Sequence, residues 1–234
     1  MSKAGILRVV VALAAMCGAV TLAHGATPGQ CYGTVSNGKL EGAVKLPLAG
    51  SNFAAYSKLG AAAGRTYLHP KVASVVLSTY AGLAQLMPRA RFVYGETGFP
   101  EGGPFKPHKT HQNGSSVDFF VPVKTSAGTP TVLPSSWSNK FGYESEFDAK
   151  GRFMHFQIDF DAYAEHLVQL HRNAQAQGAQ IALVIVDPAY LPLLFATSRG
   201  AYLRDKLPFM RTKPWVRHDE HFHVDFSIPC KPLP

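Results

Sequence analysis

Two short polar clusters, far apart in sequence, constrain this chain more than anything else in it. His111 and Asp118 sit in Thr110-His-Gln-Asn-Gly-Ser-Ser-Val-Asp118; His218, His221 and His223 sit in His218-Asp-Glu-His-Phe-His223. Asp118 falls within the apolar run Ser116-Val-Asp-Phe-Phe-Val121. A carboxylate there needs a partner, because an unpaired buried charge is costly. Read together, the clusters describe a zinc site. Two imidazoles and a carboxylate make a three-ligand set that leaves a fourth tetrahedral position for water, as a catalytic zinc requires. His221 and His223 flank Phe222, and Val224, Phe226 and Ile228 continue the alternation. On a strand, residues two apart face the same way, so both rings project together. One can bind metal while the other works on a substrate. Any single histidine among the ten can equally be a surface or hydrogen-bonded residue; the combined spacing is what points to metal.

The N-terminus reads as an export signal. Lys3 and Arg8 give a positive start, Val9 to Val20 a short apolar run, and Ala23, Gly25 and Ala26 small residues for cleavage. This is too short and wrongly flanked for a membrane anchor. Cleavage at Ala26 is expected, although His24 is unfavourable three residues before that cut, so a cut one to three residues earlier also fits. Cys17 follows Met16, too large for a lipoprotein signal, and leaves with the leader. Residues 27–234 then form one domain, long enough for a real core. They keep Cys31 and Cys230, an even pair that an oxidising compartment favours as a disulfide; two separate buried thiols are the alternative. Periplasmic location follows.

Composition narrows the partners. Lys and Arg number 23 against 15 Asp and Glu, with only a loose basic group at Arg204, Lys206, Arg211, Lys213 and Arg217. Nucleic acid does not suit an exported protein of this kind. A polyanionic wall polymer does, since a basic surface concentrates an enzyme on it; a charge that merely keeps the protein soluble fits as well.

The remaining pattern is mixed. His69 to Met87 carries apolar residues at helical spacing, with Pro70 in the first turn and Pro88 as the stop. Asp161 to Gln177 is a second amphipathic helix, with Asp159 or Asp161 as N-cap and Gly178 at its end. Strands are expected over 91–96, 115–123, 180–186 (of the buried kind) and within 216–228, with a short helix over 190–198. The stretch Lys124 to Lys150 reads as an ordered insertion walling a cleft. The class is α+β: helices on a small, mainly antiparallel sheet carrying the zinc site.

In order along the chain, Cys31-Tyr-Gly, Gly42-Ala-Val-Lys-Leu-Pro47, His69-Pro70, Gly102-Gly103, His108-x2-His111-Gln112, Val186-Asp187-Pro188, Trp215-x2-His218 and Pro229-Cys230 resemble the penicillin-insensitive murein endopeptidases. These belong to a wider group of zinc peptidases with the lysostaphin-type and D-Ala-D-Ala metallopeptidases and the hedgehog-like domains. The resemblance implies one Zn2+ on His111, Asp118 and His223. It implies His221 as base or transition-state stabiliser, His218 as a further active-site histidine, Trp215 in the cleft wall and His108 close to the metal. The implied reaction is hydrolysis of D-alanyl–meso-diaminopimelyl cross-links in peptidoglycan. Thr110 replaces a common serine, and Lys106-Pro-His-Lys109 makes the entrance loop unusually basic. That loop, Gly102 to Lys109, and the aromatic stretch Trp137 to Phe147 are expected to flank a groove open on both sides of the zinc.

Three other readings remain. A D,D- or L,D-carboxypeptidase would use the same zinc set. An inactive wall-binding protein of this fold would not need His221 and His218. A serine hydrolase is disfavoured, because Gly114-Ser-Ser-Val lacks the Gly-x-Ser-x-Gly elbow.

Overall fold

The computed structural model describes residues 29–234, and in it the two polar clusters lie on neighbouring strands. The expected leader, with Cys17, lies outside the described residues. The chain starts with a hairpin, β1 (Gln30–Thr34) and β2 (Asn37–Glu41), then β3 (Val44–Lys45), β4 (Phe53–Ala55), a short α1 (Lys58–Ala62) and β5 (Tyr67–Leu68). Next come α2 (Pro70–Leu86), β6 (Phe92–Tyr94), β7 (Ser116–Phe120), β8 (Val123–Thr125) and β9 (Pro130–Thr131). The rest is β10 (Arg152–Phe153), β11 (Phe156–Ile158), α3 (Phe160–Ala176), β12 (Gln180–Ile185), α4 (Leu191–Phe195), α5 (Gly200–Lys206) and β13 (His221–Ser227).

The main sheet runs β12-β13-β7-β6-β4, antiparallel except for the β4–β6 pair. The molecule is a single α+β domain, as the pattern predicts. Alternation decides what each face of that sheet carries. Val117, Phe119, Phe222 and Val224 point one way and are buried under α2 and α3, where they meet Val76, Tyr80, Tyr163 and Leu167. Burying side chains of this size contributes roughly 1.5–3 kcal/mol each, so this face is where the fold gets its cohesion. Asp118, His221 and His223 point the other way.

The helix ends follow their capping chemistry. His69 Nδ1 accepts from the Lys71 backbone N–H (3.2 Å) at the start of α2, and Asp159 Oδ1 accepts from Ala162 N–H (3.2 Å) at the start of α3. Gly178, just past α3, has φ 66°, a left-handed turn that glycine adopts without strain.

Three expectations are corrected. The strand expected over 115–123 stops at Phe120. Pro122 has no N–H to give a ladder, and β8 beyond it joins a second sheet, β10-β11-β8-β9. The strand expected to be buried, β12, is an edge strand with Gln180 and Ala182 exposed. Only Val184 on its outer side is covered, by Pro208 and Met210 (3.0 and 2.8 Å). The helix expected over 190–198 is shorter, and α5, not foreseen, follows it.

Cys31 and Cys230 form a disulfide across a sequence separation of 199. It ties the first hairpin to the chain just beyond β13, where Lys231 N–H donates to Cys31 O (2.9 Å) and Gly33 N–H to Lys231 O (2.8 Å). No helix among the described residues is long and apolar enough to cross a membrane.

Candidate metal centre

Strand register brings the clusters together. His223 pairs with Asp118 and His221 with Phe120 across β13 and β7. His111 arrives from the loop before β7 in the left-handed region, at φ 70°. His108 comes from the entrance loop. Gly95, on the opposite side of Asp118, has to be glycine: a Cβ there would stand 2.5 Å from the Tyr143 hydroxyl and 2.9 Å from the Asp118 Cβ.

Each imidazole is held at one nitrogen, and the hold fixes what the other nitrogen can do. His111 Nδ1–H donates to the Thr97 carbonyl (3.1 Å). Its Nε2 therefore carries a bare lone pair. That atom is buried without any hydrogen-bond partner and faces Asp118 Oδ1 at 3.3 Å. The same carboxylate oxygen lies 2.8 Å from His223 Nδ1, and His223 Nε2–H donates to Asp225 Oδ1 (2.7 Å). Asp225 is itself fixed by Ser116 Oγ (2.6 Å). On the other side of Asp118, Oδ2 accepts from the Tyr143 hydroxyl (3.3 Å) and lies 3.8 Å from His108 Nδ1. His108 Nε2–H donates to Glu96 Oε2 (2.6 Å). His221 Nδ1 sits 2.8 Å from Glu220 Oε1, and His218 Nδ1–H donates to the Val216 carbonyl (3.0 Å). The His218 and His221 rings are 4.7 Å apart.

A metal fits this set. A buried, deprotonated ring nitrogen with nothing to bond, beside a carboxylate that already gathers several donors, is a ligand position. His108, His111 and Asp118 offer ligand atoms all within 4.8 Å of one another. His223 reaches the same carboxylate from the strand side. His111 and Asp118 are thus common to two possible triads, and the third place is contested by His223 and His108.

The electrostatics agree. Burial alone would raise the Asp118 carboxyl, but His111 and His223 overcome it and hold it well below the usual range. Burial lowers His111 despite Asp118, so its ring stays neutral. His223 is the exception: burial would lower it, yet Asp225 and Asp118 together raise it to about 10. It holds a positive charge between two carboxylates, in the place a cation would stabilise. Burial lowers His221 to about 4 and, helped by His221, His218 to about 3, leaving both rings neutral at pH 7. Glu96 would be raised by burial, but Arg65 and His108 bring it down to about 2.

Four of the five expected histidines and Asp118 therefore line one cleft of about 730 Å³, and His111 is buried behind Asp118. Lys106, Lys109 and the half-exposed Trp215 line its mouth, with Lys109 Nζ 4.9 Å from the Trp215 ring. From the aromatic stretch, Phe141 and Tyr143 line the cleft, but Trp137 is 82% exposed and away from it, and Phe147 is in the core. Sequence reasoning missed Glu96, Tyr143, Glu220 and Asp225. Asp225 had a signal: it lies two residues beyond His223, on the same strand face.

Residues 31–232 match the family model for penicillin-insensitive murein endopeptidases. No curated protein matches the chain.

Proposed function

The chain belongs to the penicillin-insensitive murein endopeptidase family, and on that premise we propose that it is a zinc enzyme cutting D-alanyl–meso-diaminopimelyl cross-links of peptidoglycan. One zinc would be held by His111, Asp118 and His223. The observation that carries this is the bare, buried Nε2 of His111 facing Asp118. His223 is favoured over His108 as third ligand because it stands on β13, paired directly with Asp118 on β7, with Asp225 behind it. Both rings have a carboxylate on the second nitrogen, the arrangement that orients metal-binding imidazoles, but His223 Nδ1 stands 2.8 Å from Asp118 and His108 Nδ1 3.8 Å. His108 comes from a loop and is held by Glu96.

Bound there, zinc supplies a Lewis acid that polarises a carbonyl and makes water nucleophilic near neutral pH. The chain's own residues do the rest. His221, neutral and with Nδ1 engaged by Glu220, takes the proton of the attacking water at Nε2. His218, its ring 4.7 Å from that of His221, receives that proton at its free Nε2 and passes it to the departing amine. Arg65, bonded to Glu96 and to the Lys106 carbonyl (2.9 Å), fixes the entrance loop that positions His108. Tyr143 holds the second oxygen of Asp118 and so keeps the first directed at the histidines. No serine or cysteine is acylated in this scheme, so a β-lactam has nothing to trap.

Removal of residues 1–26 and a periplasmic location complete the reading; the disulfide supports an oxidising compartment. Metal analysis of the purified protein, with digestion of cross-linked muropeptide dimers with and without a chelator, tests it. One zinc per chain and chelator-sensitive cleavage are expected. His223→Ala should lose the metal while His108→Ala retains most of it; the reverse would move the third ligand to His108. Cleavage indifferent to chelator would end the zinc reading. Preference for uncross-linked monomers would make the enzyme a carboxypeptidase.

A further inference from the structure

A second cavity, of about 1430 Å³, opens on the far side of Trp215 from the metal centre. Its floor is apolar: Leu191 and Phe195 from α4, with Leu207 and Phe209 from the segment that covers the edge of β12. Arg204, Arg211 and Lys213 line it as well, all exposed. Their charges are unspent. Among the described residues none of the three makes an ion pair; the Arg204 guanidinium lies over the Phe195 ring at 5.3 Å. Arg217 is the contrast. It lines the same cavity but is saturated by Glu146 (2.5 Å), Asp219 (3.0 Å) and Asp187 (3.7 Å). Asp187 is the only acid in the lining, and it is engaged by Arg217 and by the Ala189 N–H (2.9 Å).

The two cavities are adjacent. Trp215, Val216, Arg217 and His218 line both, so a chain crossing the metal centre past His218 and over this shared wall reaches the second. A peptidase that trims chain ends needs room on one side of the scissile bond. One that cuts between two peptide arms needs room on both.

We propose that this basic groove holds one arm of the cross-linked substrate, an acidic peptide. Its free carboxylates meet Arg211, Lys213 and Arg204, and its aliphatic parts lie on the Leu191–Phe195 floor. The proposal deepens the function above and rests on it. Three unpaired cations around an apolar floor fit an acidic peptide and repel a cationic one; a volume above the roughly 300–1,000 Å³ of ordinary ligand pockets accommodates several residues. The contacts are exposed, so they weaken once the Debye length shortens below about 8 Å.

The test uses three probes: an uncross-linked stem peptide with free carboxylates, its fully amidated counterpart, and a cross-linked muropeptide dimer. The double variant Arg211→Gln/Lys213→Gln is compared with Lys71→Gln/Arg89→Gln, which removes equal charge from residues lining neither cavity. The wild type should bind the acidic peptide, by calorimetry, about tenfold more tightly than the amidated one. The groove variant should lose that preference and show KM on the dimer raised about tenfold with kcat within about twofold, while the control pair matches wild type. Equal affinity for both peptides, or a groove variant indistinguishable from the control, overturns the inference, and continued cleavage of dimers would leave the endopeptidase reading standing. Binding of the acidic peptide that depends on Arg211 and Lys213, in a protein that cuts no dimer, would keep the groove and end the endopeptidase reading.

Discussion

His111 and His166 are both fully buried, and they sit against opposite faces of one sheet. His111 packs against His223 on the face that carries Asp118. His166, from α3, packs edge-on against Phe119, Phe222 and Phe92 on the face covered by helices. The difference is in the nitrogens. His111 spends one on the Thr97 carbonyl and directs the other at a carboxylate. His166 bonds through neither, and burial lowers it to about 3. It serves as a flat aromatic body, at a cost of about 1–3 kcal/mol for a buried polar group without a partner. Burial of a histidine therefore says nothing about metal; a fixed tautomer aimed at a converging carboxylate does.

The largest contrast should come from the metal itself. Asp118→Ala is expected to take bound zinc from near one equivalent to near none by elemental analysis, and cleavage to background. His166→Phe should keep both; loss of metal in that variant would show the two faces to be coupled. Next in size, His221→Ala should retain zinc yet slow turnover by about 10²–10⁴-fold, the usual worth of a general acid–base or electrostatic group. Near-normal turnover would transfer the role to His218. A smaller loss belongs to the residue behind the ligand. Asp225→Ala should weaken zinc affinity about 10–100-fold in competition with a chromogenic chelator, with no such change in His166→Phe.

A last comparison separates the faces by pH. His166 is neutral in the fold down to about 3, while the unfolded chain takes up a proton near the ordinary value of about 6.5. Its contribution is thus complete above about 6.5 and is lost as pH falls from there towards 3, at about 1.4 kcal/mol per pH unit. Urea unfolding of wild type and His166→Phe at pH 7, 5.5 and 4 should show the wild type losing the more stability on acidification; parallel curves would mean that His166 finds a partner in solution.

Much of the centre was legible because it lies on strands. The period of two in His221-Phe-His223 put both rings on one face, and an aspartate inside an apolar run announced a partner. Glu96 was seen only as the end of a strand, since its bonds reach Arg65 and His108 through loops that no local pattern relates. Tyr143 was one aromatic residue among several. It enters the site through a turn in which Lys140 and Phe141 take φ 46° and 58°, values that side chains other than glycine rarely adopt. The run Gln180 to Val186 reads as a buried strand by composition, yet edge or centre depends on sheet order, which composition does not hold. Helix α5 was hidden by Gly200. It looks like a terminator, but it begins the helix, where a Cβ would stand 1.9 Å from the Phe195 carbonyl oxygen.

The position of β13 between β12 and β7 sets a schedule. A polypeptide is made from its N-terminus, so the two outer partners exist well before residues 221–227 appear. Until then β12 and β7 have no strand between them, Asp118 lacks His223, and the cleft has neither His221 nor His223. The strand that bridges β12 and β7 is also the one that brings His221 and His223 to the cleft. On the proposed zinc mechanism, partial synthesis yields no partial hydrolase, and a chain stays harmless to any wall polymer it meets until its structure closes.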